Sequence, residues 1–100
     1  MLQAFNRLMD YIDAHLTEDI TGRQIAKIVG MPDYHFTRMF SYMSGMTLKE
    51  YIKNRRLSAA NAELIQGARV TDVAFKYGFK TVEGFSRAFR DWSGFLPSEA

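Results

Sequence analysis

Cysteine is absent from this chain and proline occurs only twice. Without cysteine there is neither a disulfide framework nor a thiolate metal site, and this composition fits the reducing cytosol. No apolar run approaches the roughly 20 residues that a membrane-spanning helix needs. Residues 1–10 alternate apolar and polar side chains at helical spacing, which is not the pattern of a signal peptide. These absences predict a cytoplasmic protein that has no membrane partner.

The chain has 100 residues, of which 47% are hydrophobic, so it is long enough for one domain or two very small ones. Its net charge of +2 is unevenly distributed, since residues 1–50 sum to −1 and residues 51–100 sum to +3. A basic second half is compatible with a polyanionic partner. On charge alone, an ordinary solvated surface remains the simpler interpretation.

The spacing of apolar residues predicts an all-α protein of about seven helices, without β-strands. The first helix is expected at about 3–16. A short second helix begins at a capping box formed by Thr21 and Gln24, and it ends at Gly30. A third is expected at about 32–44, with Pro32 in its first turn, where the missing N–H has no cost.

The longest predicted helix covers residues 47–66. Thr47 and Glu50 form a capping box at its start, and Gly67 follows its end. At 1.5 Å per residue it is roughly 25–30 Å long. Beyond it we expect a short helix ending at residue 78, a helix at about 82–93 capped by Thr81, and an incomplete seventh helix starting at Pro97. The predicted organisation is a first subdomain (1–46), a linker helix (47–66) and a second subdomain (67–100).

The two subdomains share an internal repeat. An apolar residue, alanine and glycine recur with an offset of 48, and a Phe-x-Arg-x-Phe segment followed by glycine recurs with an offset of 49. The first set is Ile25, Ala26, Gly30 and Val73, Ala74, Gly78; the second is Phe36, Arg38, Phe40, Gly45 and Phe85, Arg87, Phe89, Gly94. Each copy has the outline of a helix-turn-helix. The apolar faces of the two longer helices are expected to be Phe36, Met39, Phe40, Met43 and Phe85, Ala88, Phe89, Trp92.

In each copy the arginine lies about 200° around the helix from the phenylalanines, so it should project outward. An arginine can donate two hydrogen bonds to a guanine edge, worth roughly 1–3 kcal/mol of base discrimination. Thr37 and Ser86, beside the arginines, could contact a base edge or a phosphate. The alternative is a plain helical bundle in which the arginines pair with carboxylates such as Asp33 and Asp91. Repetition in register favours DNA binding.

Eight stretches carry a family resemblance: 11–16, 25–30, 34–40, 45–52, 55–60, 72–79, 85–89 and 94–99. The most specific are Asp-Val-Ala-Phe-x-Tyr-Gly-Phe (72–79) and Phe-Ser-Arg-Ala-Phe (85–89). Together they resemble the DNA-binding domain of AraC/XylS-type transcription regulators over nearly the whole chain. The resemblance implies two helix-turn-helix units joined by the long helix. It also implies two recognition helices (about 32–44 and 82–93) in successive major grooves of double-stranded DNA, one turn or about 34 Å apart.

The resemblance implies a role for individual residues as well. Base contacts would come from Tyr34, Thr37, Arg38, Glu83, Ser86 and Arg87. Contacts to the DNA backbone would come from Thr21, Lys53, Arg55 and Thr71. It further implies a nucleoid-associated protein with no cofactor, an effector-binding domain C-terminal to this segment, and a contact with RNA polymerase.

Three residues depart from the family pattern. Met31 stands before Pro32 where a serine-like cap is usual, and Gly84 weakens the second recognition helix by up to about 1 kcal/mol relative to alanine. Glu83 is acidic at a position expected to face DNA, where it could accept from a cytosine amine or repel phosphate.

An enzyme is not expected, and no catalytic or metal-binding residue is predicted. His15 and His35 lack companions at metal-ligand spacing. There is no Ser/His/Asp grouping, and residues 78–81 are too short for a phosphate-binding loop. The alternative to a DNA-binding domain is a helical protein-interaction module that has kept the fold without DNA affinity. A salt titration separates the two, because phosphate contacts release counterions.

Overall fold

The computed structural model describes residues 2–99, and all regular structure in this range is helical. Six α-helices are followed by a single 3₁₀ turn at Pro97–Glu99. The α-helices are α1 (Leu2–Ala14), α2 (Gly22–Val29), α3 (Asp33–Ser44), α4 (Leu48–Ile65), α5 (Val70–Lys76) and α6 (Val82–Ser93). The predicted all-α architecture of about seven helices is confirmed. No helix between residues 2 and 99 combines the length and apolarity required to cross a membrane.

The chain forms two compact units, and the division between them falls inside α4. Unit 1 extends to Lys53 and therefore includes the first turns of α4. Unit 2 begins at Asn54 and includes the rest of α4 with α5 and α6. Each unit contains one short helix followed by one longer helix, as the internal repeat predicted.

The core of unit 1 is formed by one apolar face from each of its helices. Its buried side chains are Leu8, Ile12, Leu16, Ile25, Val29, Phe36, Phe40, Leu48 and Ile52. The ring of Phe5 on α1 lies 6.5 Å from that of Phe36 and 6.1 Å from that of Phe40, centroid to centroid. Burying rings of this size provides most of the energy that holds a short helix in place. The apolar side of α3 is therefore fixed inward, and its opposite side is left to solvent.

The ends of α2 follow the predicted capping chemistry. The amide of Gln24 donates to Thr21 Oγ1 (3.2 Å), and the amide of Thr21 donates to Gln24 Oε1 (2.8 Å). Gly30 ends the helix at φ +72°, and its amide donates to the carbonyl of Ala26 (2.9 Å). A left-handed residue at this position favours glycine, because other residues meet steric strain there.

The start of α3 differs from the prediction by one residue. Pro32 is the N-cap residue, with φ −55° and ψ 139°, and the helix begins at Asp33. No side chain caps the first amides of α3. A Cβ on Gly22 would collide with the carboxylate of Asp33, so the glycine leaves room for this side chain where α2 and α3 meet.

Unit 2 has an equivalent core. Its buried side chains are Leu57, Ala60, Leu64, Val73, Ala74, Tyr77, Phe85, Phe89 and Pro97. The cap positions are exchanged relative to unit 1, because the short helix α5 has no side-chain cap at Arg69, whereas Thr81 caps α6 by accepting from the amide of Gly84 (2.9 Å). The predicted cap at Thr81 is confirmed.

A polar cluster joins α4 to the end of α5 within unit 2. The hydroxyl of Tyr77 and the ammonium of Lys76 (2.9 Å) both donate to the carboxylate of Glu63. These hydrogen bonds, that from Tyr77 first, hold the pKa of Glu63 below its usual value. Burial, together with the bond to Glu63, raises the pKa of Tyr77 to about 12. The cluster therefore favours a charged Glu63 and a neutral Tyr77.

Two expected core residues lie at the surface instead. Met43 is 73% exposed, because the buried side of α3 ends at Phe40 and the chain turns away at Gly45. Trp92 is 36% exposed: its ring packs at 5.7 Å against Phe89 but remains partly in solvent. The prediction was wrong for Met43, and Trp92 is only partly covered.

Candidate nucleic-acid interface

The exposed side of α3 carries the three residues expected to contact bases in unit 1. Tyr34 is 59% exposed and Arg38 is exposed, whereas Thr37 is half-buried. The three lie on one helix face, because residues three and four apart are neighbours on a helix. The hydroxyl of Thr37 donates to the carbonyl of Tyr34 (3.2 Å), and its oxygen can still accept a hydrogen bond.

The side chain of Arg38 has no hydrogen bond or ion pair to any residue in the range 2–99. The expected alternative, a pair with Asp33, is not formed, and the carboxylate of Asp33 lies against Gly22 instead. A guanidinium has five N–H donors and no acceptor. All five are available to a partner, which is the condition for bidentate recognition of a guanine edge.

A cleft of about 560 Å³ borders the exposed side of α3 in unit 1. Apolar side chains line it together with a polar rim that comes from α3 and from the starts of α2 and α4. The apolar members are Ile20, Ile25, Leu48 and Ile52; the others are Gly22, Asp33, Tyr34, Thr37, Arg38, Ser41, Thr47 and Lys49. The cleft therefore extends the surface of α3 onto a second helix of the same unit.

The exposed side of α6 repeats this arrangement in unit 2. Glu83 and Arg87 are exposed and Ser86 is half-buried, which matches the residues 49 positions earlier. Phe85 and Phe89 are almost completely buried, as are Phe36 and Phe40. Within the described range the guanidinium of Arg87 has no hydrogen bond or ion pair, so the expected alternative pair with Asp91 is not formed either.

The two faces differ in their first turns. Unit 1 has Tyr34 and His35, whose rings meet edge to face at 4.5 Å, where unit 2 has Glu83 and Gly84. The carboxylate of Glu83 lies in the first turn of α6, where the helix dipole favours a negative charge. Glu83 therefore stabilises the start of α6, independently of any role in binding.

The residues expected to contact the DNA backbone occupy different settings. Thr21 is the N-cap of α2, and Thr71 is exposed in the first turn of α5. Lys53 is exposed at the end of unit 1. Arg55 is half-buried and already has an interaction of its own, whereas Lys53 is more exposed.

Sequence reasoning missed two features. Ser41 and Lys49 line the cleft, but Lys49 lies on another helix, and spacing along α3 could not reveal it. The serines before Gly45 and Gly94 could have been found, because they obey the same offset of 49. Ser44 donates to the carbonyl of Phe40 (2.7 Å), and Ser93 donates to that of Phe89 (2.8 Å).

Each serine also accepts a hydrogen bond from the amide two residues later, at 3.3 Å for Met46 and 3.1 Å for Phe95. Both longer helices thus end with the same side-chain bonds.

As for metal chemistry, the part of the chain between residues 2 and 99 has no group of three or more His, Cys, Asp or Glu side chains that could hold an ion.

Comparison with known proteins identifies relatives along the whole chain. Residues 25–100 match the family described as a helix-turn-helix domain. The regulatory protein SoxS of Salmonella typhimurium is 34% identical over 98 residues, which covers 97% of this chain and 92% of SoxS. The uncharacterised HTH-type transcriptional regulator YbfP of Bacillus subtilis is 35% identical over 89 residues. That match covers 88% of this chain but only 30% of YbfP.

Solved structures agree with these relatives. A probable AraC family transcriptional regulator from Rhodopseudomonas palustris superimposes with a TM-score of 0.87 at 29% identity, covering 97% of this chain and 93% of that one. The DNA-binding domain of AdpA, solved in complex with a target DNA, shares the fold with a TM-score of 0.81 at 22% identity; the match covers 94% of this chain and 86% of that domain. The chain belongs to the AraC-type helix-turn-helix family, the DNA-binding domains of transcriptional regulators.

Proposed function

We propose that this DNA-binding domain reads duplex sequence with both units, placing α3 and α6 in successive major grooves. The observation that carries the proposal is the equivalence of the two faces: Arg38 and Arg87 occupy the same register, both are exposed, and neither is paired within residues 2–99. A structural bundle has no need of two unpaired guanidinium groups held in the same register by buried phenylalanines.

The proposed base contacts are three residues from each face. Arg38 and Arg87 donate to guanine, and Thr37 and Ser86 supply short hydroxyl contacts to a base edge or phosphate. Tyr34 and Glu83 occupy equivalent positions in the first turns of α3 and α6 but differ in chemistry, so the base pairs that they face should differ between the two half-sites. Thr21, Lys53, Arg55 and Thr71 would position the domain on the phosphates without reading sequence.

The proposal is tested by selecting bound duplexes from a random pool and measuring the affinity of the domain for the selected sequence. Two half-sites, about 10–10.5 base pairs apart from centre to centre, are the expected result. One half-site alone would mean that a single unit reads sequence. If no duplex is bound in a salt-sensitive way, the protein-interaction module is favoured instead, because DNA binding weakens steeply as salt rises.

Two further partners follow from the family. We propose that an effector-binding domain follows this segment in the full-length protein. The Bacillus relative is long enough to hold a further domain, because this chain spans only 30% of it, whereas SoxS is spanned to 92% and leaves no room for one. We also propose a contact with RNA polymerase and a nucleoid location in the cytoplasm, as expected for a transcription regulator. Transcription in vitro from a promoter containing the selected site, with and without the domain, tests the polymerase contact directly.

A further inference from the structure

The cleft beside α3 contains a second cationic side chain, Lys49, which is not among the residues proposed to contact bases. Lys49, in the first turn of α4, lines the same cleft as Arg38. It is exposed, and its ammonium has no hydrogen bond or ion pair to any residue between 2 and 99. The hydroxyls of Ser41 and Thr47 line the cleft as well, so two cations and two hydroxyls share one concave surface in unit 1.

The charges around this surface favour an anion. Asp33 is the acidic residue of the lining, and its carboxylate lies at the α2 end, against Gly22. Glu50 follows Lys49, and its Oε1 accepts from the amide (3.2 Å) and the hydroxyl (3.0 Å) of Thr47, so this carboxylate is held at the start of α4. One turn further along α4, Lys53 is exposed four residues after Lys49, a spacing that places both on the same side of the helix.

We propose that Lys49 binds a backbone phosphate of the DNA strand bordering the major groove that α3 reads. The inference rests on the proposed function, because it requires α3 to lie in that groove. The cleft would then receive one sugar–phosphate strand, with the ammonium on the phosphate and the apolar lining against the deoxyribose. Lysine suits this task, since it acts as a compact point charge on a flexible stem.

A contact of this kind positions the domain and carries no sequence information. Unit 1 would therefore hold DNA with two helices, α3 on the bases and the start of α4 on the backbone. Unit 2 has no counterpart of Lys49 at the offset of 49, because Ser98 occupies that place. The phosphate contact is thus a property of unit 1.

The test compares Lys49→Ala with the matched control Lys27→Ala, which removes an exposed lysine of α2 that lies outside the cleft. For Lys49→Ala we expect the slope of log affinity against log salt to fall by about 0.9, the value for one phosphate contact. The loss of affinity should be equal on selected and random duplexes. Lys27→Ala should keep the slope of the unmodified domain, and Lys49→Arg should restore most of it.

The Lys49→Ala variant is expected to remain folded, so a change in its salt slope can be attributed to DNA binding. A cation in the first turn of a helix opposes the helix dipole, so Lys49→Ala is expected to leave the thermal midpoint unchanged or slightly higher. A complementary experiment places a photoreactive aryl azide on Lys49→Cys and, as control, on Lys27→Cys. Cross-links from position 49 should map to the strand that flanks the half-site read by α3.

The outcomes distinguish the inference from the function on which it rests. If Lys49→Ala keeps the full salt slope while Arg38→Ala loses base preference, the phosphate contact is wrong and the reading of bases stands. Cross-links outside that half-site would overturn the contact in the same way. If the unmodified domain binds no duplex, both proposals fail together.

Discussion

At the scale of single residues, the arginines of α3 and α6 separate folding from binding. Arg38 and Arg87 are exposed, and their side chains make no hydrogen bond or ion pair within residues 2–99. Surface substitutions of this kind usually change stability by less than about 0.5 kcal/mol. Removing either side chain should therefore affect recognition and leave the fold intact.

We expect Arg38→Ala and Arg87→Ala each to lose about 1–3 kcal/mol of discrimination at one base pair. The measurement is competition binding with duplexes that carry single-base changes, accompanied by thermal unfolding. Arg69→Ala is the matched control, because Arg69 is exposed and is paired with Asp72 (3.1 Å) on α5. If Arg38→Ala discriminates between selected and random duplexes as well as the unmodified domain does, the role assigned to Arg38 is wrong.

At the scale of the helix, the two units place their N-terminal side-chain cap on different helices. In unit 1 the short helix α2 has a capping box at Thr21 and the longer α3 has no side-chain cap. In unit 2 the short helix α5 lacks a side-chain cap and Thr81 caps the longer α6. The start of α6 is thus better secured than the start of α3, which partly offsets the unfavourable glycine at position 84.

We expect Thr81→Ala to lower the free energy of unfolding by about 1 kcal/mol, because the amide of Gly84 loses its acceptor. Thr81→Ser should retain most of that energy, since it keeps the hydroxyl. Urea denaturation monitored by circular dichroism provides the measurement, and Thr71→Ala, at an exposed threonine of α5, is the control. Equal midpoints for Thr81→Ala and the unmodified domain would contradict a stabilising cap.

A second prediction at this scale concerns how much the cluster of Glu63, Lys76 and Tyr77 contributes to the free energy of unfolding. Tyr77→Phe removes a hydrogen bond to a charged group, which typically contributes about 1.5–3 kcal/mol; we expect the lower end, because Lys76 still holds Glu63. Lys76→Ala should cost less, about 0–1 kcal/mol, because the ammonium is exposed.

The stability difference between the unmodified domain and Tyr77→Phe should depend on pH, because folding shifts the pKa values of Glu63 and Tyr77. The pKa of Glu63 is lowered on folding, so its contribution is present above the usual value of 4.5 and is lost as pH falls through the lowered pKa. The pKa of Tyr77 is raised, so its contribution is present below 10 and is lost as pH rises through about 12. The unfolding free energies of the unmodified domain and Tyr77→Phe, measured by urea titration across pH, should differ most between about pH 5 and 10. A difference that stays constant into acid would exclude Glu63 as the partner.

At the scale of the whole molecule, one chain carries two equivalent faces, and α4 passes through both units as a continuous helix of 18 residues. The proposed function depends on the distance between half-sites as much as on their sequence, because it requires α3 and α6 to lie in successive major grooves.

Inserting five base pairs between the selected half-sites should lower affinity at least about tenfold, because half a turn places the second site on the opposite side of the duplex. Fluorescence anisotropy with labelled duplexes measures this loss. The control is the same insertion outside both half-sites, which should have no effect. Unchanged affinity after the internal insertion would mean that one unit alone reads sequence.

The amino-acid sequence by itself determined the local features of this protein. The caps at Thr21, Thr47 and Thr81 depend on residues three positions away, and the helix ends at Gly30, Gly45 and Gly94 depend on backbone freedom at one residue. The outward direction of both arginines follows from helical geometry and two flanking phenylalanines. Interactions of this range are specified by neighbours in the chain, and the structure confirmed them.

Only the tertiary structure decided which separate helices meet. It placed Lys49 in the cleft with Arg38, joined Glu63 to Tyr77, and left Met43 in solvent. None of these follows from a periodic pattern, because the packing of one helix on another depends on the shapes of both surfaces. The sequence thus indicated which faces of α3 and α6 are exposed, and the packing of helices decided what surrounds them.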